Sequence, residues 1–154
     1  MSIYLLALLI GIIAGLRTMT APAAVAWAIY LNGLDLGGTW LTFLGNPYVR
    51  WILTVLAVVE LITDQLPSTP SRTVPVQFSA RLLMGAISGA AIGAAGGSWI
   101  GGFLAGVVGA VVGTLGGRAF RARLAAAFGR DRPAALIEDA VAIVGALLIG
   151  VALR

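Results

Sequence analysis

Five apolar runs, each long enough to cross a bilayer, follow one another with only short polar breaks between them. A hydrocarbon core about 30 Å thick needs about 20 helical residues to cross it. The runs fall at about residues 3–31, 48–66, 76–95, 99–118 and 133–153. That succession predicts an all-α polytopic membrane bundle of about five transmembrane helices, with residues 1–154 forming one integral membrane domain. Charge content agrees. Only 10% of the residues are charged and 60% are hydrophobic, against about 25% charged in a soluble domain. At a mean hydropathy of +1.02, a water-facing surface would be apolar enough to aggregate. No polar stretch is long enough to fold as a second domain.

The missing residue types narrow the chemistry. Cysteine and histidine are absent, which removes disulfides, thiolate chemistry, the usual zinc and iron sites and imidazole proton transfer. No metal and no cofactor is expected. Every cationic side chain is arginine, and the arginines flank apolar runs. The net charge of +4 therefore predicts a lipid bilayer and no nucleic acid as partner. The opening "MSIYLLALLIGIIAG" lacks the positive flank of a secretory signal and reads as a retained first span. That first run is longer than one crossing needs. Arg17 and Pro22 interrupt it, which predicts a kink or a strong tilt. Residues 32–47, with Trp40 and Phe43, read as an interfacial or re-entrant loop. In a five-span chain, Arg72, Arg81, Arg118, Arg121, Arg123, Arg130 and Arg132 fall on one side, and Arg50 and Arg154 on the other. Arginine-rich loops stay in the cytoplasm, so the N-terminus is expected inside and the C-terminus outside.

Charges within the apolar runs are the candidates for function. Arg17 lies too deep in the first run to reach either surface easily. In "ELITDQLPSTPSR", residues 60–72, Glu60 and Asp64 stand one helical turn apart and share a helix face. Glu138 and Asp139 open the fifth run. A charge at mid-membrane costs about 2.5–3.5 kcal/mol on insertion scales, so each needs a partner or water. The simplest pairing joins Arg17 to Glu60, with Arg81 or Arg118 answering Asp64, Glu138 or Asp139. Plainer roles also exist. Asp64 fits an interfacial cap before Pro67, and Glu138 fits the favourable dipole at a helix N-terminus. Arg121, Arg123, Arg130 and Arg132 fit topology determinants.

Two patterns bear on packing. Gly85, Gly89, Gly93 and Gly97 recur every fourth residue, as do Gly109, Gly113 and Gly117. Such smooth faces suit close helix packing within one chain, or else a pore lining or a self-association interface. A faint internal repeat sets Gly15 against Gly116 and Arg17 against Arg118, each unit being followed by an apolar helix with two acids. With five spans the two units would run in opposite directions, as in transporters built on inverted repeats.

"GLRTMTAPA" and "VELITDQLPSTPSR" resemble the Gly-Leu-Arg and Glu-x-x-x-Asp-x-x-Pro segments of the bacterial membrane proteins classed as domain of unknown function 4126. "RLLMGAISGA" and "EDAVAIVGALL" are similar to that family's third and last hydrophobic blocks. The resemblance covers nearly the whole chain. Its specific parts are the Arg17 set and the set of Glu60, Asp64 and Pro67. The acids of the family's following connection are replaced here by "STPSR". The resemblance implies a bacterial inner membrane and supplies no activity. It points to Arg17, Glu60, Asp64, Arg81, Glu138 and Asp139.

Three functions fit these residues. One is a small, self-associating transporter or channel for an ion or small solute, with Arg17 as counter-ion and Glu60 as the protonatable group. A second is a non-catalytic structural or interaction protein whose buried pairs fix helix register. A third is an enzyme acting on a lipid diphosphate, with Mg²⁺ between Glu60 and Asp64.

Overall fold

The computed structural model describes residues 2–154. Six α-helices and one short 3-10 helix make up the regular structure: α1 (Ile3–Leu16), α2 (Thr20–Asn32), the 3-10 turn Trp40–Gly45, α3 (Pro47–Thr63), α4 (Pro75–Ala95), α5 (Trp99–Phe128) and α6 (Asp131–Ala152). No strand occurs among the described residues. Three helices, α4, α5 and α6, are long and apolar enough to cross a membrane, and α1 is a shorter apolar helix.

The expected single first span is two helices. Leu16 ends α1, Arg17 is extended at φ −139° and ψ 113°, and α2 begins at Thr20. Pro22 gives the local reason. It has no N–H to donate to the Thr18 carbonyl, and its ring would crowd that carbonyl, so a straight helix cannot pass. Within the first turn of a new helix the same proline is tolerated. The break is not a kink, because the chain turns back. Ile13 lies against Gly145 and Arg17 meets Asp139, so α1 runs opposite to α6. The Asn32 side-chain amide donates to the Gly150 carbonyl at 2.9 Å, so α2 runs alongside α6. At about 1.5 Å per residue, the 14 residues of α1 and the 13 of α2 each fall short of a full crossing.

Tyr4 lies by Gly101 and Ile3 by Gly96, so α1 starts at the end of the bundle where α5 begins and α4 finishes. α6 runs back to that same end after the tight Gly129 turn. Ser2 and Arg154 therefore lie at one end of the bundle. Of the two units of the faint repeat, the residues that follow Arg17 lie in α2, which runs opposite to the stretch of α5 that follows Arg118. Gly15 packs by Thr114 and Gly11 by Gly106, so α1 and α5 run in the same direction. Arg17 sits at a break whereas Arg118 lies inside a continuous helix.

Glycine lets the helices meet backbone to backbone. A Cβ on Gly89 would press into Gly102 and Gly106 of α5, and one on Gly93 into Ser98 and Gly102. Gly85 faces Gly106 and Ala110. Gly109 and Gly113 face the other way, against Leu8 and Ile12 of α1. Apart from Gly97, which follows α4 with open space around it, the two stripes thus pack within the chain, and α5 carries one small-residue face for each neighbour. Association between apolar helices in lipid draws on such close packing, because lipid tails are as apolar as leucine. α1, packed against α4, α5 and α6, is the central helix, with Leu6, Ala7, Ile10 and Ala14 buried.

Asn46 caps α3 by accepting from the Tyr48 amide at 2.8 Å, with Pro47 at its first position. Residues 32–47 form an end cover. Its Leu41 and Leu44 are buried, while Trp40 and Phe43 stack at 6.2 Å and stay partly exposed. α5 is longer than expected. Its 30 residues run about 45 Å, and the last third carries Arg121 and Arg123, just past Arg118.

Candidate functional site

The open ends of the broken first segment are answered by side chains from other helices. A helix that stops leaves bare N–H groups at one end and bare carbonyls at the other. At the start of α2, the Thr18 and Met19 amides donate to the two carboxylate oxygens of Glu60, each at 2.7 Å. The negative carboxylate sits where the dipole of α2 is positive. At the end of α1, the Arg81 guanidinium donates from Nη1 to the Gly15 carbonyl at 2.8 Å and the Leu16 carbonyl at 2.9 Å. That end of the dipole is negative, so a cation suits it.

Arg17 fills the gap itself. Its side chain is 0% exposed. It donates to Asp139 of α6 and to Asp64 just past α3, and its Nη2 lies 3.9 Å from Glu138. Asp139 also accepts from the Gln65 amide at 2.8 Å. Glu138, fully buried, is clamped by Arg72 on both oxygens and approached by Arg121 at 3.5 Å. Arg121 holds Asp131 as well, at 2.9 and 2.6 Å. Buried charges survive in this form, each paired and hydrogen-bonded.

Local sequence explains the convergence. Glu60 and Asp64 end α3 one turn apart, so one reaches the α2 amides and the other reaches Arg17. Glu138 and Asp139 are neighbours in sequence, yet Asp139 meets Arg17 and Glu138 meets Arg72. Gly117 provides the space. A Cβ there would stand 2.5 Å from Leu16 Cδ2 and 3.1 Å from both Arg72 Nη1 and Glu138 Oε1.

Of the expected residues, Arg17, Glu60, Asp64, Arg81, Glu138 and Asp139 gather at the break. The expected pairs are rearranged. Glu60 serves backbone amides rather than Arg17, because the break exposes amides that no other acceptor reaches. Arg81 serves carbonyls rather than a carboxylate for the same reason. Arg118 is exposed and has no carboxylate partner among the described residues. Arg72 and Arg121, expected only as topology determinants, belong to the network. A spacing of three residues from Arg118 could have flagged Arg121; nothing in the loop sequence flagged Arg72. Gln65 carried no signal beyond its place beside Asp64.

Around the network a cavity of about 350 Å³ opens at the arginine-rich end, lined by Asp64, Arg72, Arg81, Arg118, Arg121 and Asp131 among others. Among the described residues no three acidic side chains are grouped to hold a metal ion. The acids are engaged with guanidinium and amide donors instead. These features define a class: an all-helical bundle with helices fit to span a bilayer and a buried ionic centre at a helix break. No family model matches the chain, and neither does any curated protein or solved structure.

Proposed function

We propose that the protein is a small transporter or channel that moves an ion or small solute past the break at Arg17–Met19. One observation carries this function: a discontinuous helix whose two open ends are capped by Glu60 and Arg81 beside a polar cavity. Broken helices of this kind form the solute and ion sites of many secondary transporters. Unwound backbone is tolerated at membrane depth only where protein or water satisfies it. Glu60 is the group to move. Loss of its charge on protonation would weaken its hold on the α2 amides and free them for a solute. Reconstituted protein should give pH-dependent flux that Glu60→Gln abolishes in a variant that still folds. Normal pH-dependent flux in Glu60→Gln would reject this role.

The arginine-rich end would face the cytoplasm of a bacterial inner membrane, with both termini outside. Lipid would cover α3, whose Trp51, Ile52, Val55 and Ile62 are exposed, or a second copy would, since six helices enclose little alone.

A second function is favoured by the saturation of the network. Glu60, Asp64, Glu138 and Asp139 all have partners, as they would in a centre that only fixes helix register. In that case Arg17→Met with Asp64→Leu and Asp139→Leu would fold well, and no flux would appear with any solute.

A further inference from the structure

We infer that the cavity at the arginine-rich end binds a phosphate-type oxyanion between Arg81 of α4 and Arg118 of α5. Six charged side chains line this cavity: Asp64, Arg72, Arg81, Arg118, Arg121 and Asp131. Four of them are already answered. Asp64 pairs with Arg17, Arg72 with Glu138, and Arg121 with Asp131. Arg81 and Arg118 have no carboxylate partner among the described residues. Arg81 is 3% exposed, spends Nη1 on the α1 carbonyls and leaves Nε buried without an acceptor. Two guanidinium groups in the cavity wall therefore have no salt-bridge partner of their own.

A phosphate-type anion can pair with both, whereas a monocarboxylate would leave one guanidinium unanswered. Guanidinium groups match phosphate oxygens through planar paired donors. A tetrahedral anion can present oxygens to two helices at once. Of the acids in the wall, Asp131 is held by Arg121 and Asp64 by Arg17, which it shares with Asp139. The volume of about 350 Å³ lies near the lower end of ligand pockets, about 300–1,000 Å³. It suits a free phosphate or the headgroup of a phosphomonoester lipid. That the anion is also the solute carried rests on the proposed transport function; its binding does not.

Isothermal titration of the detergent-purified protein with inorganic phosphate and with dihexanoyl phosphatidic acid tests the site. Arg118 makes no ion pair, so Arg118→Gln should melt at the wild-type temperature. It should weaken binding about tenfold or more, while Arg123→Gln, outside the cavity, should not. Binding of inorganic phosphate assigns a free anion. Binding of phosphatidic acid alone assigns a lipid headgroup. Failure of both ligands to bind, or equal binding by Arg118→Gln, overturns the inference. Binding without phosphate flux in proteoliposomes leaves the site standing and removes only the transport of that anion.

Discussion

Arg17 is the residue on which the centre turns, because it is wholly buried and serves two carboxylates from different segments. Replacing it with methionine strands Asp64 and Asp139 in an apolar interior. Breaking one side of a buried pair typically costs about 3–5 kcal/mol, so Arg17→Met should unfold at a much lower temperature in detergent. Adding Asp139→Leu should recover part of the loss. A wild-type melting temperature for Arg17→Met would show that the ionic centre does not hold the fold. Glu60 makes a graded prediction. Glu60→Ala leaves the Thr18 and Met19 amides bare, at about 1–3 kcal/mol per unsatisfied group. Glu60→Gln keeps an acceptor for one of them and should be the milder change in the same melt. Arg17, Glu60, Asp64, Arg81, Glu138 and Asp139 were visible in the sequence as charges among apolar residues. Their partners were not, because Glu60 and Arg81 bind backbone groups that exist only once the helix has broken.

At the scale of the helix, glycine decides how close two backbones come. Gly106 packs against Gly85 and Gly89, where an added Cβ would press on backbone that cannot step aside. Overpacking of that kind costs about 1–3 kcal/mol or more, so Gly106→Ala should lower the melting temperature. Gly116 lies on the same helix with open space around it. Alanine there removes a helix penalty of about 0.5–1 kcal/mol, so Gly116→Ala should be neutral or stabilising. Equal melting of the two variants would refute the assignment of packing faces. The fourfold spacing of glycines was legible along the chain. Which stripe faced which neighbour was not, since α5 presents one face to α4 and another to α1, and spacing alone does not choose between them.

For the molecule as a whole, the return of α2 places Ser2 and Arg154 at one end and Arg130 at the other. The absence of native cysteine makes this directly measurable. Single variants Ser2→Cys and Arg154→Cys should react with a membrane-impermeant maleimide from the same side, and Arg130→Cys from the opposite side. Labelling of Ser2→Cys and Arg154→Cys from opposite sides would rule out the hairpin. By itself the sequence determined that the chain is helical, apolar and built to carry a few internal charges. Those properties follow from composition and local periodicity, which neighbours in space do not alter. Only the tertiary structure decided that the first apolar run turns back at Arg17. Pro22 permits either a kink or a reversal, and the choice falls to Glu60, Arg81, Asp64 and Asp139, which reach the break from other helices and satisfy it in just one of those arrangements.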